Sequence, residues 1–181
     1  APMRRHTSWR TGGPADVFFV PASIEDLSAF LAGLDRDTPV FWHGVGTNLL
    51  VRDGGIPGVV IHPLKGDFER VEVEGDRIEA GVGARFKRIT STAQTAELTG
   101  FEWMEGIPGN VGGGIRMNAG AMGWETFDNV VSVTFIDQDG EIRTKMAEEI
   151  ESRYRNVPEF TENYVVSAVF RGEKADPAAI D

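Results

Sequence analysis

Cysteine is absent from the 181 residues, which excludes disulfides, thiolate metal sites and cysteine catalysis. No apolar run approaches the roughly 18 to 20 residues that a membrane-spanning helix needs, so we expect no membrane partner. The basic start at Arg4-Arg5 has no apolar stretch behind it, so no secretory signal is visible. These features fit a cytoplasmic protein.

Positive charge is also scarce, because 18 Lys and Arg residues stand against 28 Asp and Glu residues, for a net charge of -10. A protein that binds nucleic acid usually presents a basic face, and no Lys/Arg run supplies one here. We therefore expect no nucleic-acid partner. If the chain binds an anionic ligand, backbone N–H groups and helix N-termini must provide most of the contacts.

Histidine is rare too, with three residues at His6, His43 and His62. We interpret them as far apart, and their spacing is not that of metal ligands, so we predict no metal site. His43 precedes a glycine turn and could contact a phosphate there. A core or surface position is the interpretation that we favour for it.

The first third of the chain predicts a small β-α-β-β lobe, placed at residues 1–66. Ser23 is a candidate N-cap with Asp26 three residues on, and Leu27, Phe30 and Leu31 follow at helical spacing. Short apolar runs predict the strands. These strands are expected at residues 17–20, 39–42, 49–51 and 59–61.

The remainder predicts a second α+β lobe at residues 67–172. Alternating patterns with Asp-Gly or Gly-Asp turns predict two hairpins, at 68–81 and 130–144, and a closing strand spans 164–170. Helices are expected at 85–98 and 146–154. Asp176-Pro177 has the N-cap and N1 residues of another helix, so we expect residues 173–181 to begin a further domain and the natural chain or its relatives to continue.

Glycine is abundant, with 22 residues in the chain, and three stretches are of particular interest. The first cluster, Gly44-Val45-Gly46-Thr47-Asn48, follows a predicted strand, where glycines let backbone N–H groups approach a phosphate. It is not a dinucleotide fingerprint, because Leu49 stands where a third glycine would be, and no Walker lysine follows. Taken alone, an ordinary tight turn remains an open alternative.

The second cluster runs from Ile107 to Gly114 and continues from Asn118 to Glu125. So many glycines are costly in chain entropy, which favours a backbone that must lie close to something. Apolar Val111, Ile115 and Met117 argue against an ordinary solvated loop. The third cluster, 80–84, is by itself only a turn.

In this order, the stretches Trp9–Ala15, Gly44–Val51, Ala80–Gly83, Gly106–Gly113 and Met117–Ala121 resemble the UDP-N-acetylmuramate dehydrogenases, also called UDP-N-acetylenolpyruvoylglucosamine reductases. The resemblance extends from about Thr7 to Arg171. It implies an FAD-binding PCMH-type (vanillyl-alcohol-oxidase-like) fold of two α+β lobes, with FAD held non-covalently between them.

The resemblance also implies which residues contact the cofactor. The loop at 44–48 would take the pyrophosphate, and the later glycine segments would line the FAD. The implied cofactor-binding residues are Gly44, Val45, Gly46, Thr47, Asn48, Leu49, Gly81, Gly109, Asn110, Gly112, Gly113, Asn118, Ala119, Gly120, Ala121 and Val166.

The family's reaction is the NADPH-dependent reduction of UDP-N-acetylglucosamine enolpyruvate in peptidoglycan precursor synthesis. Tyr154-Arg155 matches the family's catalytic Tyr-Arg pair, and a guanidinium suits a substrate carboxylate. The family's third domain, with its proton-donating serine and late glutamate, has no counterpart in this sequence. We therefore expect UDP-sugar binding and turnover only if that domain is supplied. A stand-alone, non-catalytic FAD-binding module remains the alternative.

Overall fold

A three-stranded parallel sheet forms the first part of the fold in the computed structural model, which describes residues 1–176. Its strands are β1 (Ala15–Phe19), β2 (Val40–Trp42) and β3 (Ile56–Ile61), in the order β1-β3-β2. Helix α1 (Ile24–Ala32) connects β1 to β2. Its start is fixed as predicted, because the Ser23 side chain accepts a hydrogen bond from the Asp26 N–H.

A five-stranded antiparallel sheet forms the second part, in the order β10-β9-β11-β5-β4. Its strands are β4 (Val71–Glu74), β5 (Arg77–Gly81), β9 (Val130–Ile136), β10 (Ile142–Met146) and β11 (Tyr164–Arg171). Both predicted hairpins and the closing strand are therefore confirmed. Strand β11 lies at the centre of the sheet, between β9 and β5.

Three helices and two small strand pairs complete this part. The helices are α2 (Phe86–Thr95), α3 (Val111–Met117) and α4 (Thr126–Asn129). The strand pairs are β6 (Leu98–Thr99) with β12 (Glu173–Lys174), and β7 (Gly120–Ala121) with β8 (Trp124–Glu125). Short 3-10 helices span Met3–Arg5, Gly66–Glu69, Glu102–Gly106, Ala147–Glu149 and Pro158–Thr161.

The main hydrophobic core extends across both sheets. Leu27 and Ile61 of the first part belong to the same buried cluster as Phe86, Ile115 and Phe135 of the second. A smaller cluster around Met3, Val51 and Val60 lies elsewhere in the first part. Because the two parts share this core, the core marks no border between two lobes, and the lobe boundary expected between residues 66 and 67 remains a prediction.

Two sequence predictions of secondary structure are wrong. Residues 49–51 do not form a strand: Val51 packs into the smaller cluster while Leu50 is exposed, and the segment belongs to a loop. The helix expected at 146–154 is limited to the 3-10 turn Ala147–Glu149, because Met146 still belongs to β10 and Arg153 pairs with Asn156 around a turn. The helix predicted to begin at Asp176-Pro177 falls on residues outside the described range.

No helix within residues 1–176 has the length and apolar character that would let it cross a membrane.

Candidate cofactor site

The loop after β2, residues 44–48, presents free backbone donors. Gly46 has a left-handed φ of 70° and its carbonyl accepts a hydrogen bond from the Ser8 N–H at 3.1 Å. In the part of the chain that the structure describes, the N–H groups of Gly44, Gly46, Thr47 and Asn48 donate to no protein acceptor. Neighbouring free N–H groups of this kind form an anion-binding concavity.

Asn110 connects this loop to the second glycine cluster, in which it lies. Its buried side chain accepts a hydrogen bond from the Val45 N–H at 2.8 Å and donates one to the Gly83 carbonyl at 2.5 Å. Both ends of the amide are therefore satisfied within the protein. Val45 and Asn110 thus position the loop, and the Val45 N–H has its acceptor within the protein.

Residues 81–84, the start of α3 and strand β11 meet beside this loop. The N–H groups of Val111 and Gly112 donate to the carbonyls of Ala84 and Val82, each at 2.9 Å. The Val82 N–H in turn donates to the Val166 carbonyl at 2.8 Å. The fold therefore brings four sequence-predicted segments together, around Gly46, Gly81, Gly112 and Val166.

The predicted site glycines fall into two groups when a Cβ atom is built on each. At Gly109 and Gly113 that atom would meet nothing within 4 Å. At the other predicted glycines it would overlap protein atoms, so these glycines are required by the packing of the chain itself. The atoms concerned are Asn110 Oδ1 for Gly44, the His6 carbonyl for Gly46, the Phe68 carbonyl for Gly81, the Val82 side chain for Gly112 and the Trp124 carbonyl for Gly120.

The segment from Asn118 to Ala121 is held in an unusual conformation. Asn118 ends α3 with a left-handed φ of 40°, and its buried side chain accepts from the Phe127 N–H and donates to Glu125. Met122 and Arg155 also have positive φ, each 55°. Such conformations cost of order 1–3 kcal/mol each and tend to cluster at functional sites.

Arg155 is fixed against this segment. Its guanidinium donates to the carbonyls of Asn118 at 3.2 Å and Gly120 at 3.0 Å, and lies 4.7 Å from the centre of the exposed Tyr154 ring. These contacts orient the guanidinium, and a guanidinium carries five N–H donors in all. The predicted Tyr-Arg pair is thus adjacent to the predicted cofactor segment 118–121.

The three histidines lie together, so the sequence interpretation that they are far apart is wrong. His62 Nδ1 is 3.0 Å from His43 Nδ1 and 3.1 Å from the His43 carbonyl, and the His6 ring centre is 5.8 Å from that of His62. Burial, reinforced by charge on His62 and His6, lowers the pKa of His43 to about 4. Within residues 1–176, no group of three or more His, Asp or Glu side chains has an arrangement that could hold a metal ion.

Residues 15–145 match the model of a family described as FAD binding domain. The chain therefore belongs to the FAD-binding domain family, and this membership supports FAD as its cofactor. Its curated relatives include the UDP-N-acetylenolpyruvoylglucosamine reductase of Bradyrhizobium sp. (strain ORS 278), which is 45% identical over 174 residues. The reductase of a Methylorubrum extorquens strain is 46% identical over 175 residues. The alignments cover 96% and 97% of this chain and 57% of each relative, so the chain spans just over half of their length.

Solved structures agree with this assignment. The UDP-N-acetylenolpyruvylglucosamine reductase of Thermus caldophilus superposes with a TM-score of 0.85 at 28% identity, covering 99% of this chain and 64% of that one. Wild-type Phl p 4.0202, a glucose dehydrogenase, superposes at 0.68 with 14% identity over 95% of this chain and 38% of its own, which supports the fold alone. The α+β, PCMH-type FAD-binding fold and the resemblance to the reductases are confirmed.

Proposed function

We propose that this chain binds FAD without a covalent bond and is the flavin-binding part of a reductase like its curated relatives. The observation that carries the proposal is the loop at 44–48, whose N–H groups at Gly46, Thr47 and Asn48 have no acceptor within the described residues. A diphosphate needs such donors, and an acidic chain has few other ways to hold one. Family membership supports FAD as the group that bears the diphosphate.

The glycines with open Cβ directions also fit a large flat cofactor. Gly109 and Gly113 stand on either side of Asn110, whose side chain is hydrogen-bonded to the 44–48 loop. A ligand extending from that loop toward the Asn118–Ala121 segment could approach the backbone at both glycines. When bound, FAD would supply a ring that accepts and donates hydride.

We propose NADPH as the reductant and the enolpyruvyl ether of a UDP-sugar as the substrate, by analogy with the relatives. Arg155 would hold the substrate carboxylate and stabilise the negative charge that develops beside it during reduction. Its contacts with the carbonyls of Asn118 and Gly120 fix its orientation before substrate arrives. The ring of Tyr154, over which the guanidinium lies, would help to keep it there.

Cofactor binding is tested by titrating the flavin-free protein with FAD and following flavin fluorescence. Gly113→Val should weaken FAD binding by about tenfold or more, because the valine side chain would occupy the space in which FAD would contact the protein backbone. Gly54→Val is the matched control, since a Cβ at Gly54 also meets nothing within 4 Å but lies outside the predicted site. Equal FAD affinity in the two variants would contradict the proposed site.

Activity is tested by NADPH oxidation with the enolpyruvyl substrate, using the 181-residue chain alone and fused to the remaining part of the Bradyrhizobium relative. Turnover in either form supports the proposed reaction, and turnover in neither contradicts it. Arg155→Lys keeps the charge but loses the planar donor set, so kcat/KM should fall by about 100-fold. An Arg155→Lys protein as active as the parent would exclude the proposed role.

A further inference from the structure

The turn that carries Arg155 is part of neither a sheet nor a helix. It runs from Arg153 to Asn156, within a segment, 151–157, that lies between the named elements of the fold. Its own backbone contributes two hydrogen bonds, from the Arg153 N–H to the Asn156 carbonyl at 2.8 Å and from the Asn156 N–H to the Arg153 carbonyl at 3.1 Å. The direction of the Arg155 guanidinium therefore depends on contacts from outside the turn.

Arg116, in the last turn of α3, contacts this turn from one side. Its Nη1 donates to Asn156 Oδ1 at 3.1 Å, and its Nη2 donates to Thr161 Oγ1 at 3.2 Å. Thr161 ends the 3-10 helix that follows the turn. One half-buried guanidinium thus joins α3 to the turn and to the element after it. A planar guanidinium fixes the direction of both hydrogen bonds, which the flexible ammonium of a lysine does not.

Asn118, at the end of α3, contacts the turn in two places. Its carbonyl accepts a hydrogen bond from Arg155 Nη1 at 3.2 Å, and its side-chain Nδ2 donates to the Arg153 carbonyl at 3.3 Å. The same Nδ2 donates to Glu125 Oε2 at 2.7 Å, and the Phe127 N–H donates to Asn118 Oδ1 at 3.1 Å. The residue is 1% exposed, so these hydrogen bonds form away from solvent. They stabilise the left-handed conformation that directs the Asn118 carbonyl toward the guanidinium.

The contacts of Arg155 orient its guanidinium and leave its charge available to a carboxylate. Both of its acceptors, the carbonyls of Asn118 and Gly120, are uncharged, and Arg155 makes no ion pair within residues 1–176. A guanidinium has further N–H donors, and a carboxylate accepts two of them in parallel. Since a misplacement of about 1 Å can lower an enzymatic rate by about 100-fold, the residues that hold the turn affect the reaction.

We propose that Arg116 and Asn118 are positioning residues for Arg155 and that they act on the substrate carboxylate only through its guanidinium. Arg116 holds the Asn156 end of the turn, while Asn118 holds the Arg153 end and the guanidinium itself. Without either residue the turn has fewer anchors, and the guanidinium samples a wider range of directions. The inference rests on the proposed role of Arg155 and extends it to two side chains that the sequence did not connect with catalysis.

The first experiment removes each anchor and follows the guanidinium of Arg155 by nitrogen NMR of the 181-residue chain. Arg116→Met keeps the aliphatic stem, and Arg116→Lys keeps the charge. Asn118→Gly removes the side chain but leaves a backbone that adopts the left-handed conformation without strain. The signals of Arg155 are assigned by their loss in Arg155→Lys. Thermal melts establish which variants are folded at the temperature of the measurement.

Two control variants remove comparable hydrogen bonds from other parts of the protein. Arg88 on α2 donates to the Glu69 carbonyl at 2.9 Å, so Arg88→Met removes an arginine that holds backbone elsewhere. Buried Asn129 accepts from Trp103 Nε1 at 3.1 Å and donates to the Arg171 carbonyl at 3.0 Å. Asn129→Ala therefore removes a buried amide with several partners, as Asn118→Gly does, without touching the turn.

In the parent we expect separate Nη1 and Nη2 signals for Arg155, because hydrogen bonds to two carbonyls slow the rotation of the group. Arg116→Met and Asn118→Gly should each give one averaged signal, Arg116→Lys should restore part of the separation, and both controls should resemble the parent. An averaged signal in the parent, separate signals in a folded Arg116→Met or Asn118→Gly protein, or averaging in the controls overturns the proposal. If Asn118→Gly does not fold, the Arg116 variants decide.

The second experiment is a double-mutant cycle in the fused reductase of the activity test. Arg116→Met should lower kcat by about tenfold when Arg155 is present, and by less than about twofold in an Arg155→Lys background, because it acts through that guanidinium. Equal losses in the two backgrounds would assign Arg116 to general packing and overturn the proposal. A parent fusion without turnover refutes the proposed function instead, and the NMR result then decides whether Arg116 and Asn118 position Arg155.

Discussion

Acid should destabilise this fold through His43, and the size of the effect can be worked out from its surroundings. The His43 side chain is 2% exposed, and its pKa in the folded chain is about 4, against 6.5 for an unperturbed histidine. This difference corresponds to about 3 kcal/mol of stability. Because the pKa of His43 is lower in the folded chain, the unfolded chain binds a proton at pH values at which His43 of the folded chain stays neutral.

The stability is therefore fully present above about pH 6.5 and is lost as the pH falls toward 4. When the pH is lowered from about 8 to about 5, protonation of His43 in the unfolded chain should by itself reduce the free energy of unfolding by about 2 kcal/mol. His6 and His62 add losses in the same direction, because burial lowers their pKa values too. Carboxylates whose pKa is lowered, such as Glu102 and Asp137, reduce the stability only as the pH falls below their ordinary pKa values of 4.5 and 3.8. Measurements kept above about pH 5 therefore separate the effect of the histidines from that of the carboxylates.

The assay is urea unfolding of the flavin-free protein at both pH values, for the parent and for His43→Leu. Leucine cannot titrate, and the His62 Nδ1–H keeps the His43 backbone carbonyl as its acceptor. We expect the pH-dependent loss to be about 2 kcal/mol smaller in the variant than in the parent. An identical pH dependence in the two proteins would refute the argument, whatever their absolute stabilities.

Gly46→Val should lower the melting temperature by several degrees, because a Cβ would overlap the His6 carbonyl at a left-handed φ of 70°. Gly112→Val should do so through overlap with the Val82 side chain, whereas Gly54→Val should melt close to the parent in the same thermal scans. Asn110→Ala leaves the Val45 N–H and the Gly83 carbonyl without partners, and should cost about 1–3 kcal/mol in urea unfolding. Parent-like melts for Gly46→Val and Gly112→Val, or a parent-like midpoint for Asn110→Ala, would show that these contacts contribute little.

Local signals in the sequence were sufficient for much of the fold. The Ser23 cap, the alternation around Gly75-Asp76 and the hairpin around residues 137–140 depend on neighbours within a few residues, and each of these elements is present. The segment at 49–51 has the composition of a strand, but its place is decided by tertiary packing. Val51 is buried beside Met3 and Val60, so packing overrides propensity there.

The candidate site was harder to predict, because its contacts join residues that are distant in sequence. The Asn110 side chain meets Val45 across 65 positions, and His43 meets His62 across 19. The hydrophobic periodicity of the sequence does not indicate which distant residues form such pairs. The sequence also could not distinguish the glycines that face open space, Gly109 and Gly113, from Gly46 and Gly112, which the protein itself requires.

The central position of β11 has a consequence for the order in which this protein can fold. Strand β11 (Tyr164–Arg171) pairs with β9 on one side and with β5 on the other, so the five-stranded sheet cannot close until the chain has been synthesised through this strand. Until then β5 and β9 expose backbone edges that can pair with other chains. Since the Val82 N–H and the Val166 carbonyl join only at that step, the candidate cofactor site is completed late, after the last strand of the sheet has inserted.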